Sequence, residues 1–421
     1  MPYIINAVNF TGLLRKFIKF KKNLAFASVT ALSKTVCWRN NDMNLIFITV
    51  DGARLDRIVR GKHYQELIKK SSFFPKAIAY APYTIAAMHA VFSGAYGNRN
   101  GVNSYWSSSK FKKSQFKTLT SYLHDAGYAT YGDIINDLVI PEIGFDKLLV
   151  HDELHDNLLE RHKDLLEKAS PLKKQGKKFF LYLHYSNIHT GIMQEVLRKY
   201  GNFSTEYFSK RDKNEEFYDQ LFEKADIYLG KIIEHCRILG LTEDAIIVVI
   251  SDHGISVGEK LGERAYGVYC YDYTLISTAL FYHKSLPKIQ VNTQVRSVDI
   301  LPTILDLLSI PIDASYQPFD GKSLVPLMHG KKELRIAFSQ SGNPLKNKDP
   351  PKEPNVWAVR TDDWKFIKNV HNGAEEMYDL KNDPQEENNV IGKYPEKADE
   401  LRIALDRISK KGLMQTNSAV D

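Results

Sequence analysis

Three largely apolar runs, each followed by a cluster of polar residues, constrain the fold of this 421-residue chain more than any other feature. The runs occupy residues 44–50, 178–185 and 245–250. An uninterrupted apolar run of this length is typical of a strand that is buried on both faces of a parallel sheet. Since the carboxyl ends of parallel strands meet at one edge of a sheet, we expect an active site there. The polar clusters that follow the runs are Asp51-Gly52, Ser186-Asn187-Ile188-His189 and Ser251-Asp252-His253-Gly254.

Helical patterns lie between these runs, for example at 119–123 and 215–239. Alternating strands and helices predict an α/β fold with a doubly wound, mostly parallel sheet sandwiched by helices. After about residue 335 the pattern changes to shorter strands and turns, which predicts a small antiparallel sheet. We therefore divide the chain into a basic amphipathic N-terminal segment (1–40), an α/β catalytic domain (41–335) and a small C-terminal subdomain with a tail (336–421).

The charge and the N-terminal segment bear on partners and location. The net charge of +7 is spread along the chain, which fits an anionic substrate or membrane surface and shows no nucleic-acid-binding signature. Residues 10–34 are basic and apolar by turns, which favours a packed helix, a helix lying on a membrane surface, or an export signal. Three scattered cysteines favour a reducing compartment. We expect a cytoplasmic protein, or one peripheral to the cytoplasmic membrane face, with export as the alternative.

Two of the polar clusters contain candidate metal ligands. Asp252 and His253 stand side by side where one strand ends, and Asp51 ends another. Divalent cations accept such oxygen and nitrogen ligands, although a solvated turn explains either cluster alone. Thr84 precedes an apolar segment that reaches Gly94 and would begin a helix, where free N–H groups stabilise an anion. A simple helix cap is the plainer interpretation of this threonine.

The order of the motifs identifies a family resemblance. Between residues 44 and about 392 the chain resembles the sulfatase and alkaline phosphatase superfamily, and the motifs occur in the family's order. They are 49–52, 93–102, 126–130, 251–254, 299–303, 320–327, and the C-terminal group 358–366, 377–380 and 382–384. The resemblance implies metal binding by Asp51, Thr84, Asp252 and His253, with Thr84 as the nucleophile.

Several positions depart from the family pattern. Thr84 stands where sulfatases carry the Cys or Ser that becomes formylglycine, and a threonine cannot undergo that conversion. Ala86 and Met88 replace the Pro and Arg of that motif, and Gly52 replaces the second of two paired aspartates. The family's Lys-x-His is missing, and Asp133, Asn136 and Asp137 occupy that region.

Other roles follow from the resemblance. His189 stands in the place of the sulfate-contacting histidine, which implies substrate binding or protonation of the leaving group. We expect one metal ion, and His184 and His189 are the candidates for a possible second one. Lys260, Arg264 and Asn136 are candidates for binding the substrate, against the plainer interpretation of a solvated surface. The metal is a divalent ion, with Ca, Mn and Zn as the options.

These departures favour phosphorus over sulfur, because a threonyl sulfate lacks the exit that a formylglycine hydrate provides. We therefore expect a metal-dependent hydrolase or transferase that acts on phosphoester or phosphodiester groups through a covalent Thr84 intermediate. The substrate would be an anionic ester, glycan-linked or lipid-linked. The alternatives are a sulfuric ester hydrolase that acts without formylglycine, and an inactive scaffold that holds a metal ion.

Overall fold

The structure, a computed structural model, describes residues 43–344 and 349–414. These residues form two sheets. The larger has nine strands: β1 Asn44–Val50, β2 Ser72–Ile78, β3 Ala129–Ile134, β4 Lys147–Val150, β5 Phe179–Tyr185, β6 Ala245–Ile250, β7 Ile276–Tyr282, β8 Ile289–Gln290 and β9 Val295–Arg296. The smaller has four: β10 Ala337–Ser341, β11 Val356–Arg360, β12 Trp364–Asn369 and β13 Glu375–Asp379. The three predicted buried strands are therefore β1, β5 and β6.

Strand β1 lies at the centre of the larger sheet, whose order is β4-β3-β5-β1-β6-β7-β2-β8, with β9 also paired to β2. The strands from β4 to β6 are parallel, and β7 runs antiparallel to both β6 and β2. Because β5 pairs with one side of β1 and β6 with the other, the ends of these three strands meet at a switch point of the topology.

Helices cover both faces of the larger sheet. In chain order they are α1 Leu55–Ile58, α2 Lys62–Ile68, α3 Thr84–Ser93, α4 Gly97–Asn100, α5 Leu119–Asp125, α6 Leu158–Lys174, α7 Asn187–Ile192, α8 Thr205–Phe208, α9 Arg211–Ile238, α10 Asp272–Leu275, α11 Ile300–Leu307, α12 Val325–Met328 and α13 Pro395–Met414. The side chains of β1 alternate between two cores. Ile46 and Ile48 join the core under α2, α6 and α9, whereas Leu45 and Phe47 join the core under α3, α5 and α11. The mostly parallel sheet between helical layers is confirmed.

The smaller sheet is antiparallel throughout and packs on the side of helix α3. Phe338, Val359 and Phe366 share a buried core with Tyr83 and with α13. The predicted C-terminal antiparallel sheet is thus confirmed, and its first strand begins at residue 337. The division of the chain at residues 335/336 stays a prediction.

Two predictions concern parts of the chain that the structure does not describe. The basic segment 1–40, and with it the membrane contact through residues 10–34, lies outside the described residues. Among the described helices, none combines the length and the apolar character that crossing a membrane requires.

Candidate metal centre and active site

The ends of β1 and β6 bring two aspartates together. Thr49 and Ile250 are register partners in the parallel pair, so Asp51 and Asp252, each two residues further on, emerge side by side. His253 follows directly. These three residues are 0–1% exposed, and ligand atoms from all three lie within 4.8 Å of one another. Among the described residues, no other group of three or more His, Cys, Asp or Glu residues brings its ligand atoms this close together.

Backbone geometry fixes the orientation of Asp252 and His253. Gly52 has φ 74°, a left-handed conformation that glycine adopts readily, and its N–H donates to Asp252 Oδ1 at 3.0 Å. His253 Nδ1 lies 2.8 Å from the carbonyl oxygen of Gly254. Since a carbonyl only accepts, Nδ1 carries the proton, and in the neutral ring Nε2 presents a lone pair. That lone pair points into the group formed by Asp51, Thr84 and Asp252.

Thr84 completes the centre from a separate element. It is the first residue of helix α3, after the extended Tyr83, and its side chain is almost entirely buried. Its hydroxyl donates to Asp51 Oδ2 at 3.1 Å and lies 3.3 Å from His253 Nε2. The N–H groups at the start of this ten-residue helix favour negative charge at the hydroxyl.

The electrostatics of the two aspartates suit a cation. Asp51 Oδ1 and Asp252 Oδ2 are buried and accept no hydrogen bond, which is costly for a carboxylate. Burial and then the negative charge of Asp51 raise the pKa of Asp252. Burial also opposes ionisation of Asp51, but the hydrogen bond from His184 and the nearby imidazoles hold its pKa below the ordinary value. Two unpaired carboxylate oxygens, a hydroxyl and an imidazole lone pair are a fitting ligand set for a divalent ion.

His184 and His189 occupy different positions at the edge of this centre. His184 Nε2 lies 3.2 Å from Asp51 Oδ2, so this buried imidazole orients the aspartate. His189 is partly exposed, and its Nδ1 lies 3.2 Å from the hydroxyl of Tyr266. The ring of Tyr266 also packs 5.1 Å from that of His253. Among the described residues no metal-binding group includes His184 or His189, so the single metal ion that we expect, and the possible second one, both stay predictions.

The three candidate substrate-binding residues make contacts in three different places. Lys260 donates to the carbonyl of Glu386 and lies over the rings of Tyr271 and Tyr378, so two of these three contacts are with the C-terminal part of the chain. Asn136 accepts from the N–H of Leu138 in a local turn. The guanidinium of Arg264 donates to Asn202 and to the carbonyl of Leu197 and has no carboxylate partner among the described residues.

A buried polar cluster beside the centre has no counterpart in the sequence predictions. Asp133, at the end of β3, is fully buried and makes a bidentate ion pair with Arg161. His162 Nε2 lies 3.1 Å and His151 Nδ1 3.4 Å from the same Asp133 oxygen. Burial opposes ionisation, but these three partners hold the pKa of Asp133 well below its ordinary value. The one signal in the sequence was Asp133 in the region of the missing Lys-x-His.

Family models match most of the described chain. One described as Sulfatase matches residues 44–310, and one described as N-sulphoglucosamine sulphohydrolase, C-terminal, matches residues 261–411. Arylsulfatase K of Bos taurus is 31% identical over 213 residues, which cover 46% of this chain and 36% of that protein. The matched part thus spans little more than a third of the length of this relative.

Solved structures agree with the fold. A protein in complex with its substrate D-glucosamine-2-N,6-O-disulfate aligns with a TM-score of 0.67 at 16% identity, over 89% of this chain and 98% of that one. The phosphonate monoester hydrolase of Agrobacterium radiobacter aligns with a TM-score of 0.67 at 16% identity, over 88% and 96% of the two chains. At these identities the likeness establishes the architecture alone.

Proposed function

The chain belongs to the sulfatase family, and from this premise we propose that it hydrolyses sulfuric esters carried by an anionic glycan, without a formylglycine. This reverses the preference for phosphorus that the sequence departures suggested. The support comes from the family match, from the arylsulfatase relative, and from a structural neighbour whose substrate is a sulfated glucosamine. The observation that carries the proposal is the Thr84 hydroxyl at 3.1 Å from Asp51, beside two unpaired buried carboxylate oxygens.

The oxygen-rich ligand set supports a hard divalent cation. Asp51, Thr84, Asp252 and His253 would hold it through three oxygens and one nitrogen, which favours Ca²⁺ or Mn²⁺ over Zn²⁺. When bound, such an ion supplies positive charge that stabilises the developing charge on the transferring group. Side chains of this protein orient the substrate and transfer the protons.

The residues around the centre have distinct proposed roles. Water adds to sulfur while the bond between sulfur and the glycan oxygen breaks. His189 gives its proton to the departing oxygen and regains one from the water that has attacked. Thr84 and the start of helix α3 orient the sulfuryl oxygens, and His184 holds Asp51 in place. A covalent threonyl sulfate is not needed, and it would have no internal route to release sulfate.

Hydrolysis of phosphoesters through a covalent Thr84 is the second candidate. The placement of Thr84 favours it, because a hydroxyl that donates to a carboxylate at a helix N-terminus is suited to in-line attack. In that reaction Asp51 takes the Thr84 proton as the Thr84 oxygen bonds to phosphorus, and the ester oxygen leaves with a proton from His189. Water then cleaves the threonyl phosphate and returns a proton to His189, while Thr84 regains its proton from Asp51. The structural neighbour that hydrolyses phosphonate monoesters has the same architecture.

A matched substrate panel separates the candidates. Purified protein with Ca²⁺ or Mn²⁺ is assayed on an aryl sulfate, an aryl phosphate, an aryl phosphodiester and glucosamine-2-N,6-O-disulfate. We expect the highest kcat/KM on a sulfated substrate, and higher turnover of a phosphorus ester contradicts the proposal.

The variants Thr84→Ala and Thr84→Ser extend this test. Without a covalent step, Thr84→Ser keeps turnover within about threefold of the parent, Thr84→Ala lowers it about 10²-fold, and the quenched parent shows no mass adduct. A phosphoryl adduct on Thr84 supports the second candidate. An inert scaffold would show no turnover of any substrate, no adduct, and unchanged ion binding in Thr84→Ser.

A further inference from the structure

The helix that carries His189 starts without its usual cap. Ser186 occupies the N-cap position of α7, where a serine hydroxyl normally accepts a hydrogen bond from a backbone N–H of the first turn. Ser186 makes no such bond. Its hydroxyl lies 2.8 Å from His151 Nε2, and both side chains are buried. A side chain 35 positions away in sequence therefore replaces the local cap.

His151 is itself held by the buried cluster. Its Nδ1 lies 3.4 Å from Asp133 Oδ2 in a buried electrostatic contact without hydrogen-bond geometry. The negative charge favours the proton on that nitrogen, which leaves Nε2 to accept from the Ser186 hydroxyl. Asp133 is fixed in turn by the bidentate contact with Arg161 and by His162. The chain of contacts from Asp133 to Ser186 is thus anchored in the sheet and ends at the first turn of α7.

Helix α7 connects this anchor to the candidate active site. The Ser186 carbonyl accepts from the N–H of Thr190 at 2.9 Å, so His189 lies within the turn that Ser186 begins. At its far side His189 contacts the Tyr266 hydroxyl. The segment that follows is also tied down, since Arg264 donates to the carbonyl of Leu197. His189 is held between two fixed points, one of which is the Ser186–His151 hydrogen bond.

We propose that His151 is a positioning residue, which through the Ser186 hydroxyl sets where His189 stands over the centre formed by Asp51, Thr84 and Asp252. This inference rests on the proposed function for the role of His189. It also gives Asp133 a role: in the region where the family's Lys-x-His is missing, this carboxylate faces the imidazole that bonds the start of the helix.

The test combines three variants with a control. Ser186→Ala removes the same hydrogen bond with the loss of one oxygen, and His151→Ala removes it from the other side. His151→Gln retains an amide that can bond the Ser186 hydroxyl. His155→Ala is the matched control, because His155 lies four positions from His151 and is exposed, with its one side-chain contact to Asp152. Thermal melting establishes that each variant is folded, and Ser186→Ala decides the test if His151→Ala is not.

The first readout does not require turnover. The ring ¹⁵N and ¹³C resonances of His189, assigned by loss of signal in His189→Ala, are expected to shift and broaden in Ser186→Ala and His151→Ala. They are expected to return toward the parent position in His151→Gln and to stay unchanged in His155→Ala. Unchanged His189 resonances in folded Ser186→Ala overturn the proposal, whether or not a substrate has been found.

The second readout is a double-mutant cycle on kcat. His151→Ala is expected to lower kcat roughly tenfold in the parent, as the loss of one hydrogen bond that positions a reacting group would. In the His189→Ala background it is expected to change kcat by less than about twofold. An equal loss in both backgrounds contradicts the proposal, because His151 would then act through another residue, such as His184, whose ring lies 6.3 Å from its own. Absence of turnover on every substrate contradicts the proposed function and leaves the resonance test as the deciding one.

Discussion

Two buried pairs of acidic residues in this protein differ in how their charge is compensated. Asp51 and Asp252 meet at the ends of β1 and β6, whereas Asp272 and Glu386 meet under the C-terminal sheet. In the second pair the protein supplies the cations. Arg360 Nη2 lies 2.8 Å from Asp272, and Lys365 Nζ lies 2.6 Å from Asp272 and 2.8 Å from Glu386. Two negative groups are thus matched by two positive ones.

The first pair has no lysine or arginine partner among the described residues, and imidazoles are its closest basic neighbours. The pKa values follow the same pattern in both pairs, because burial raises the pKa of one acid, Asp252 in the first pair and Glu386 (to about 7) in the second, while the pKa of the other acid is lowered. The groups that lower it differ: imidazoles act on Asp51, whereas Arg360 and Lys365 act on Asp272. We therefore expect the acidic pair with its own cations to hold the fold together, and we expect the pair without them to take a cation from solution.

The largest expected effect concerns Asp272 and Glu386, the pair whose charge is compensated by Arg360 and Lys365. Lys365→Met removes one cation while keeping a side chain of similar length, and leaves Glu386 buried without its partner. We expect a loss of about 3–5 kcal/mol in the free energy of unfolding, measured with a chemical denaturant. The control Lys368→Met removes a half-buried cation paired with Glu375 and is expected to lose less than about 1 kcal/mol. Equal losses would show that burial of the charge does not decide the effect.

Glu263 sharpens the comparison as a buried acid that has neither a cation nor a second acid bonded to it. Its Oε1 accepts the N–H groups of Val268 and Tyr269, its Oε2 has no hydrogen-bond partner, and burial raises its pKa to about 7. A carboxyl group with a raised pKa binds its proton more tightly in the folded state, so stability falls as the pH rises from about 4.5 to about 7.

The variant Glu263→Gln should remove that dependence on pH. Unfolding measured at pH 5 and pH 8 is expected to show little difference from the parent at the lower pH. At the higher pH the variant should gain as much as about 3 kcal/mol, since each unit of pKa is worth about 1.4 kcal/mol. The exposed Glu216→Gln serves as the control and should follow the parent at both values. A constant difference between parent and Glu263→Gln across this range would contradict the account.

The smallest expected change in stability is a gain, whereas Lys365→Met is expected to cause a loss. Asp252→Asn removes one of two like charges and keeps an oxygen to accept from the N–H groups of Gly52 and His253. In chelator-treated protein we expect the variant to be more stable than the parent by about 1–2 kcal/mol at pH 7. Thermal and denaturant unfolding in EDTA measure this difference. A variant that is less stable than the parent under those conditions would place Asp252 in the same class as Asp272.

Much of this arrangement could be predicted from the sequence because it depends on local patterns. The apolar runs 44–50 and 245–250 identified the strands, and parallel pairing then put Asp51 and Asp252 at one edge. The start of α3 at Thr84 agrees with the predicted helix N-terminus. These inferences require only the period of the side chains and the pairing of neighbouring strands.

The remaining features depend on where loops travel after a strand ends. His151 lies in a loop and His162 in a helix, and neither segment carries a motif. No spacing pattern therefore predicts their contacts with Asp133. The loop 255–270, which follows the polar cluster at the end of β6, places Tyr266 over the centre but sends Lys260 to the C-terminal part of the chain. The preference for phosphorus rested on the chemistry of Thr84 and on Gly52 in place of a second aspartate, and the sulfatase match over 44–310 outweighs both.

Binding of a divalent ion by Asp51 and Asp252, the pair without a lysine or arginine partner among the described residues, tests the central claim most directly. Isothermal titration of Ca²⁺ and of Mn²⁺ is carried out on chelator-treated parent protein, Asp252→Asn and the control Glu216→Gln. We expect a single saturable site in the parent and the control, with a matching rise in melting temperature, and no such site in Asp252→Asn. A parent protein that binds neither ion, or an Asp252→Asn variant that binds as tightly as the parent, would contradict the claim.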